Sequence, residues 1–282
     1  MSMMVGAGPF GHAPMGRFNF ERPREKGVLY WEPTPRRVRG ILADEVVVDS
    51  HRVMLLHETG HMPVWYFPRE DVRAELLEPS DRHTRCPWKG EASYWSVRVG
   101  DRVAADAVWA YPEPLPEAPP LGDYMAFDWG AMDRWLEEDE EVHIHVRDPY
   151  HRVDVLPSSR HVRISLDGEL LAESARPLVL FETGLPPRWY LQLSEVRTDR
   201  LEPCPDLRTG CPYKGEAEYR SVRVDDREEL ALAWTYEKPK REVEPIAGRL
   251  CFFNERVDVE IDGELQERPR TQWSSDEWAR GG

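Results

Sequence analysis

The chain has 282 residues, 40% of them apolar, with 11 Trp and 10 Tyr, which is the composition of a folded protein and not of a disordered one. A formal charge of −15 argues against nucleic acid as a partner, because phosphate binding needs Lys and Arg gathered on one surface. No stretch reaches the roughly 20 apolar residues that span a bilayer, and residues 1–23 hold no apolar run of signal-peptide length, so no membrane partner and a cytoplasmic location are expected.

Residues 1–27 are rich in Gly, Pro, Met and Arg without a sustained period, which predicts a flexible or loosely docked arm. A first β domain is expected over residues 28–142. Val38 and Ile41-Leu42, Glu45–Asp49, Arg52–Glu58 and Val64–Phe67 are short β-branched or aromatic runs separated by Gly, Pro or Asp, the pattern of a β-meander.

The stretch Thr84-Arg-Cys-Pro-Trp-Lys-Gly-Glu-Ala-Ser-Tyr-Trp-Ser-Val-Arg-Val99 then returns 125 residues later as Thr209-Gly-Cys-Pro-Tyr-Lys-Gly-Glu-Ala-Glu-Tyr-Arg-Ser-Val-Arg-Val224, with twelve of sixteen positions identical. The repeat extends upstream at an offset of 124. Ser50 matches Ser174, Glu58-Thr-Gly60 matches Glu182-Thr-Gly184, and Trp65-Tyr66 matches Trp189-Tyr190. Such self-similarity predicts an all-β chain of two tandem homologous small domains related by internal duplication. The boundaries expected are a linker at 143–157, a second β domain at 158–270 and a tail at 271–282. The acid run Glu137–Glu141 reads as a solvated surface.

Four cysteines, Cys86, Cys204, Cys211 and Cys251, include no C-x-x-C pair, so reduced thiols, no metal and no cofactor are expected. His57 and His61 stand four apart, but their counterparts Phe181 and Leu185 cannot ligate a metal. What both copies keep is more informative. Cys86 and Cys211 precede proline and stand three residues before Lys89 and Lys214, whose ammonium groups can activate a thiol. Glu58 and Glu182 close apolar strands, where a carboxylate needs a partner, and Arg39, Arg163, Lys89 and Lys214 are the natural ones. Trp65, Tyr66, Tyr94 and Trp109, with Trp189, Tyr190, Tyr219 and Trp234, supply aromatic walls.

Arg39, Glu58-Thr59, Trp65-Tyr66-Phe67-Pro68, the Thr84-x-Cys86-Pro87-x-Lys89-Gly90-x-Ala92-x-Tyr94 motif, Trp109-x-Tyr111 and the Phe127 segment together resemble the "domain of unknown function 427" family, and residues 161–264 resemble a second copy. The resemblance implies a β-tent-like fold, of the kind shared with methionine-R-sulfoxide reductases and cereblon's ligand-binding domain, and implies no established activity. The family has carried a nucleotidyltransferase-like label, yet the chain has neither a P-loop nor Gly-Ser followed by paired acids.

Three functions remain open. The first is binding of a small polar or anionic molecule in each domain by Arg39, Glu58, Trp65, Tyr66, Lys89 and Tyr94, and by Arg163, Glu182, Trp189, Tyr190, Lys214 and Tyr219, a site expected to concentrate positive charge. The second is an enzyme with Cys86 and Cys211 as nucleophiles or Glu58 and Glu182 as acid/base groups. The third is a structural or protein-interaction module.

Overall fold

The computed structural model describes residues 3–14, 16–20, 27–224 and 227–280. The chain divides into two compact units at Tyr150/His151. The first contains β1 (Leu29–Pro33), β2 (Val38–Leu42), β3 (Glu45–Ser50), β4 (Met54–Glu58), β5 (Val64–Pro68), β6 (Leu77–Cys86), β7 (Gly90–Val99), β8 (Arg102–Ala110), β9 (Tyr124–Phe127), β10 (Arg134–Glu137) and β11 (Glu140–Val142). They form a seven-stranded sheet, β1-β4-β5-β9-β8-β7-β6, and a four-stranded sheet, β11-β10-β2-β3, with antiparallel pairing throughout.

The second unit repeats the plan. Its strands are β12 (Val153–Pro157), β13 (Val162–Leu166), β14 (Glu169–Ser174), β15 (Leu178–Glu182), β16 (Arg188–Leu191), β17 (Leu201–Cys211), β18 (Gly215–Val224), β19 (Arg227–Thr235), β20 (Leu250–Phe252), β21 (Asp258–Ile261) and β22 (Glu264–Leu265). The orders β12-β15-β16-β20-β19-β18-β17 and β14-β13-β21-β22 answer those of the first unit strand for strand. The chain is therefore two tandem all-β domains. Among the described residues, no helix is long and apolar enough to cross a membrane.

Local chemistry accounts for the hairpins. Ala43 and Asp44 both take positive φ (48° and 62°), as do Asp167 and Gly168 (51° and 88°), giving the tight two-residue turn whose twist matches paired strands. In β5, period-two alternation sends Trp65 and Phe67 into the core between the two sheets, and Tyr66 into a second cluster with Leu56, Tyr111 and Leu121. Burying each such side chain contributes about 1.5–3 kcal/mol.

The two inter-sheet cores solve the same packing problem differently. Gly40 pairs with Trp135 across β2 and β10, and a Cβ on Gly40 would lie 2.6 Å from the indole. At the matching register of the second unit, Ile164 pairs with Val259. Small with large has been exchanged for medium with medium, a swap that conserves volume.

Three segments refine the expectation. The arm is not loose over its described residues. Met4 is fully buried, its carbonyl accepts from Gly60 N at 2.8 Å, and the Phe10 carbonyl accepts from Thr59 Oγ1 at 2.9 Å, because the Thr59-Gly60 turn leaves polar groups that need partners. A third of the expected linker is strand: β12 pairs with β15 as β1 pairs with β4, so Val153–Pro157 is the counterpart of β1. The acid run forms the β10–β11 hairpin; Glu138, Asp139 and Glu140 are exposed, as a solvated surface requires, whereas Glu137 is buried beneath Arg36 (2.5 Å) and Arg147 (3.8 Å).

Candidate functional site

The repeated motif is the β6–β7 hairpin. Cys86 pairs with Gly90, so Pro87, Trp88 and Lys89 form its tip. Gly90 has φ +107°, and a Cβ there would lie 3.1 Å from the Glu113 carbonyl; Gly215 has φ +100° with the Lys238 carbonyl 3.2 Å away. The motif requires glycine for both reasons. The tip is fastened to the next loop through its backbone, Leu115 N donating to Lys89 O and Lys240 N to Lys214 O, at 3.1 and 3.0 Å.

This tip reaches the far side of its own sheet. Lys89 Nζ donates to Glu58 Oε2 at the end of β4, although β5, β9, β8 and β7 lie between β4 and β6, so the sheet curls until the two meet. The side chains are only 10% and 13% exposed. The second unit has the same pair in Lys214 and Glu182. There Glu182 Oε1 also accepts from His151 Nε2 at 3.1 Å, and the imidazole stacks on Tyr213 at 3.9 Å. Burial alone would raise the Glu182 carboxyl, but the Lys214 ammonium and the His151 hydrogen bond outweigh it and hold it at about 2.

Beside the first pair lies a cavity of about 550 Å³, lined by Glu58, Lys89, Cys86, Trp65, Tyr94, Trp109, Tyr111, Phe127, Trp129 and Trp135, with His61, Arg82, Asp106, Asp128 and His145 among its polar groups. Lys89 Nζ also stands 5.6 Å from the centre of the Tyr111 ring, and Arg82 lies over Tyr94 at 4.6 Å. The Tyr94 hydroxyl is bonded to Thr84 Oγ1 at 2.8 Å, as Tyr219 is to Thr209 at 2.6 Å. Burial pushes the Tyr111 hydroxyl up, so it stays protonated and can donate.

The structure thus brings together Glu58, Trp65, Cys86, Lys89 and Tyr94. It does not bring Arg39 or Tyr66 to them. Arg39 sits on β2 of the small sheet, where its guanidinium donates to the Glu138 carbonyl and to Asp139 Oδ1 (2.7 Å), and Arg163 occupies the exposed matching position. Alternation along the strand turns both away from the core that Val38 and Val162 enter. Tyr66 and Tyr190 are each 1% exposed, their hydroxyls accepting from Trp109 and Trp234 Nε1 at 3.4 and 3.0 Å, so they are core residues. The expected excess of positive charge is likewise missing. Arg82 and Lys89 face Glu58, Asp106 and Asp128, with Arg82 and Asp106 3.7 Å apart.

In the second unit the corresponding residues are dispersed. Lys214 and Glu182 remain paired, but Trp189 lines a different cavity of about 520 Å³ with Leu156, Phe181 and Val259. Val64 of the first cavity is replaced by Arg188, whose guanidinium forms two bonds of 2.7 Å to the buried Glu255. Asp128 is replaced by Phe253, which packs on Trp234 at 4.3 Å. Arg188 is also within 6 Å of the Trp234, Phe253 and Trp273 rings.

Trp129, Trp135 and His145 went unrecognised in the sequence because they fall where the copies diverge. Trp65, Trp129 and Trp135 form one aromatic group with centroids 5.6–5.7 Å apart, assembled from three separate chain segments. A signal was present in the density of Trp between 129 and 135, beside the shared Phe127. The four cysteines are free thiols, with Cys86 and Cys211 half-buried and Cys251 fully buried.

No curated protein matches the sequence. The model of the family described as a domain of unknown function, DUF427, matches twice, over residues 30–138 and 154–263, and the chain belongs to that family as a tandem of two copies.

Proposed function

We propose that the first domain binds a small polar molecule with a planar face in the cavity beside Lys89 and Glu58. The observation that carries this reading is the meeting, in one cavity of about 550 Å³, of an apolar aromatic lining with a buried ion pair and a few convergent polar groups. Ligand sites have this size and this mixture. Two cations against three carboxylates favour a neutral, zwitterionic or amine-bearing ligand over a simple anion.

A thermal-shift screen of metabolites against the full chain tests this. A true ligand raises the melting temperature in proportion to the logarithm of its concentration above Kd. Val64→Arg, which installs the second domain's residue at the cavity wall with Asp128 at hand as a partner, is expected to abolish that shift while preserving the fold. Absence of any ligand in a broad screen, or a shift that survives Val64→Arg, counts against the reading. A second reading is supported by Cys86 itself, which lines the same cavity as Lys89. If the domain is a thiol enzyme, Cys86 alkylates faster at neutral pH than a free thiol does, and Cys86→Ser abolishes turnover without abolishing binding.

A further inference from the structure

We propose that the second domain carries a binding site for an indole-bearing chain segment, and that residues 268–280 of this chain occupy it. The contacts lie within the second domain and stand apart from the ligand reading of the first. Tyr94, Trp109, Val64 and Asp128 line the open cavity of the first domain; their counterparts are Tyr219, Trp234, Arg188 and Phe253. Two indoles contact this second set. Trp278 packs on Tyr219 at 5.1 Å and on Phe253 at 5.5 Å, and Trp273 packs on Phe253 at 6.1 Å with the Arg188 guanidinium 5.7 Å from its ring.

Side chains hold the segment in place. Thr271 Oγ1 donates to Glu255 Oε1 at 2.6 Å, beside the Arg188 guanidinium, and Arg268 Nη2 donates to Asp258 Oδ1 at 2.8 Å. The backbone hydrogen bonds described within 268–280 are internal, Ser274 N to Thr271 O and Ala279 N to Asp276 O. A strand added to a sheet edge would be tied by its backbone; this segment is seated as a ligand is, by two aromatic anchors and a hydroxyl. The seat is also imperfect. Among the described residues, Trp278 Nε1 is buried without a hydrogen-bond partner, which lowers the cost of release. A guanidinium stacked on an indole, with a tyrosine and a phenylalanine as the remaining walls, selects an aromatic side chain on a peptide and gives no advantage to an aliphatic one.

The test uses the full chain and a synthetic peptide with the sequence of residues 267–280. Trp273→Ala/Trp278→Ala unseats the segment, and the variant should then bind the peptide saturably in trans. The unaltered chain should bind it about tenfold or more weakly, because its own segment competes at an effective concentration in the millimolar range. Adding Tyr219→Ala should remove binding. A folded double variant that ignores the peptide, or binds equally a peptide with both Trp replaced by Ala, overturns the proposal. So does binding that survives Tyr219→Ala and is lost with Tyr94→Ala, since the site would then be in the first domain. Should the double variant fail to fold, hydrogen exchange on the unaltered chain decides. Residues 268–280 are expected to exchange well before β18 and β19, and exchange only with global unfolding of the domain would refute a separable occupant.

Discussion

Lys89 at the tip of the β6–β7 hairpin bonds the Glu58 carboxylate at the end of β4, closing a sheet whose strand order places four strands between them. Lys214 and Glu182 repeat the closure in the second domain, although the walls around them differ. An ion pair kept in both surroundings serves the curl of the sheet first, and offers its remaining polar atoms to a cavity second.

Breaking this pair from one side should therefore be costly even without ligand. Lys89→Ala leaves a nearly buried carboxylate unpaired and is expected to destabilise the first domain by about 3–5 kcal/mol. The double change Lys89→Met/Glu58→Leu removes both charges and should cost distinctly less. Urea unfolding of the single and double variants measures the difference. A loss under about 1 kcal/mol for Lys89→Ala would show that the pair is solvated and does not tie the sheet.

Much of this was readable from the sequence because duplication preserves what the fold cannot lose. The hairpin motif, the Glu-Thr-Gly turn and the Lys–Glu partnership survive in both copies because glycine geometry and charge pairing tolerate few substitutes. The same preservation misled at Arg39 and Tyr66, since a filter that keeps scaffold and site alike cannot separate them. Trp129, Trp135 and His145 were illegible for the opposite reason. Trp135 reaches the cavity on β10, which pairs with β2 nearly a hundred residues earlier, and Trp129 and His145 flank the β10–β11 hairpin; the pairing of β10 with β2 is maintained by the compensating exchange of Gly40 and Trp135 for Ile164 and Val259. The replacement of Val64 by Arg188 has its reason in residues distant in sequence, Glu255, Phe253 and Trp273, which surround the guanidinium.

The second domain should lose stability in acid through Glu182. Its folded carboxyl is held at about 2, below the ordinary value of 4.5, by Lys214 and His151 acting against burial. A depressed carboxyl contributes stability that is complete above the unfolded value and is lost as pH falls through the folded one. The window is thus pH 4.5 down to 2, and the contribution is on the order of 3 kcal/mol. Glu182→Gln should lower stability at pH 7 and flatten its dependence on pH across that window, as followed by chemical denaturation at several pH values. An unchanged acid limb in Glu182→Gln would assign acid sensitivity to other groups.

The thiols should separate by reactivity. Cys86 lines an open cavity, whereas Cys251 is fully buried and burial pushes its thiol well up. Alkylation of native protein followed by peptide mass mapping is expected to label Cys86 first and Cys251 only on unfolding. A ligand of the first cavity should protect Cys86 and leave Cys211 unaffected. Simultaneous labelling of Cys86 and Cys251 would mean that the second domain's core opens on the timescale of the reaction.

The two motif glycines give the sharpest test of the hairpin. Gly90 and Gly215 combine a positive φ near 100°, where side chains are strained, with a carbonyl 3.1–3.2 Å from any added Cβ. That carbonyl belongs to the loop which Lys89 and Lys214 fasten through their own backbones, so it cannot retreat without breaking the Leu115 or Lys240 hydrogen bond. Gly90→Ala should cost about 1–3 kcal/mol from backbone strain, with the lost bond and the displaced Lys89 ammonium adding to it. Gly100 has the milder φ of +55° and meets nothing within 4 Å among the described residues, so Gly100→Ala carries neither the wide φ nor the close approach and should cost less. Differential scanning calorimetry on the two variants orders them. If Gly100→Ala proves as damaging as Gly90→Ala, neither the wide φ of Gly90 nor the close approach of the Glu113 loop to it sets the motif glycine apart.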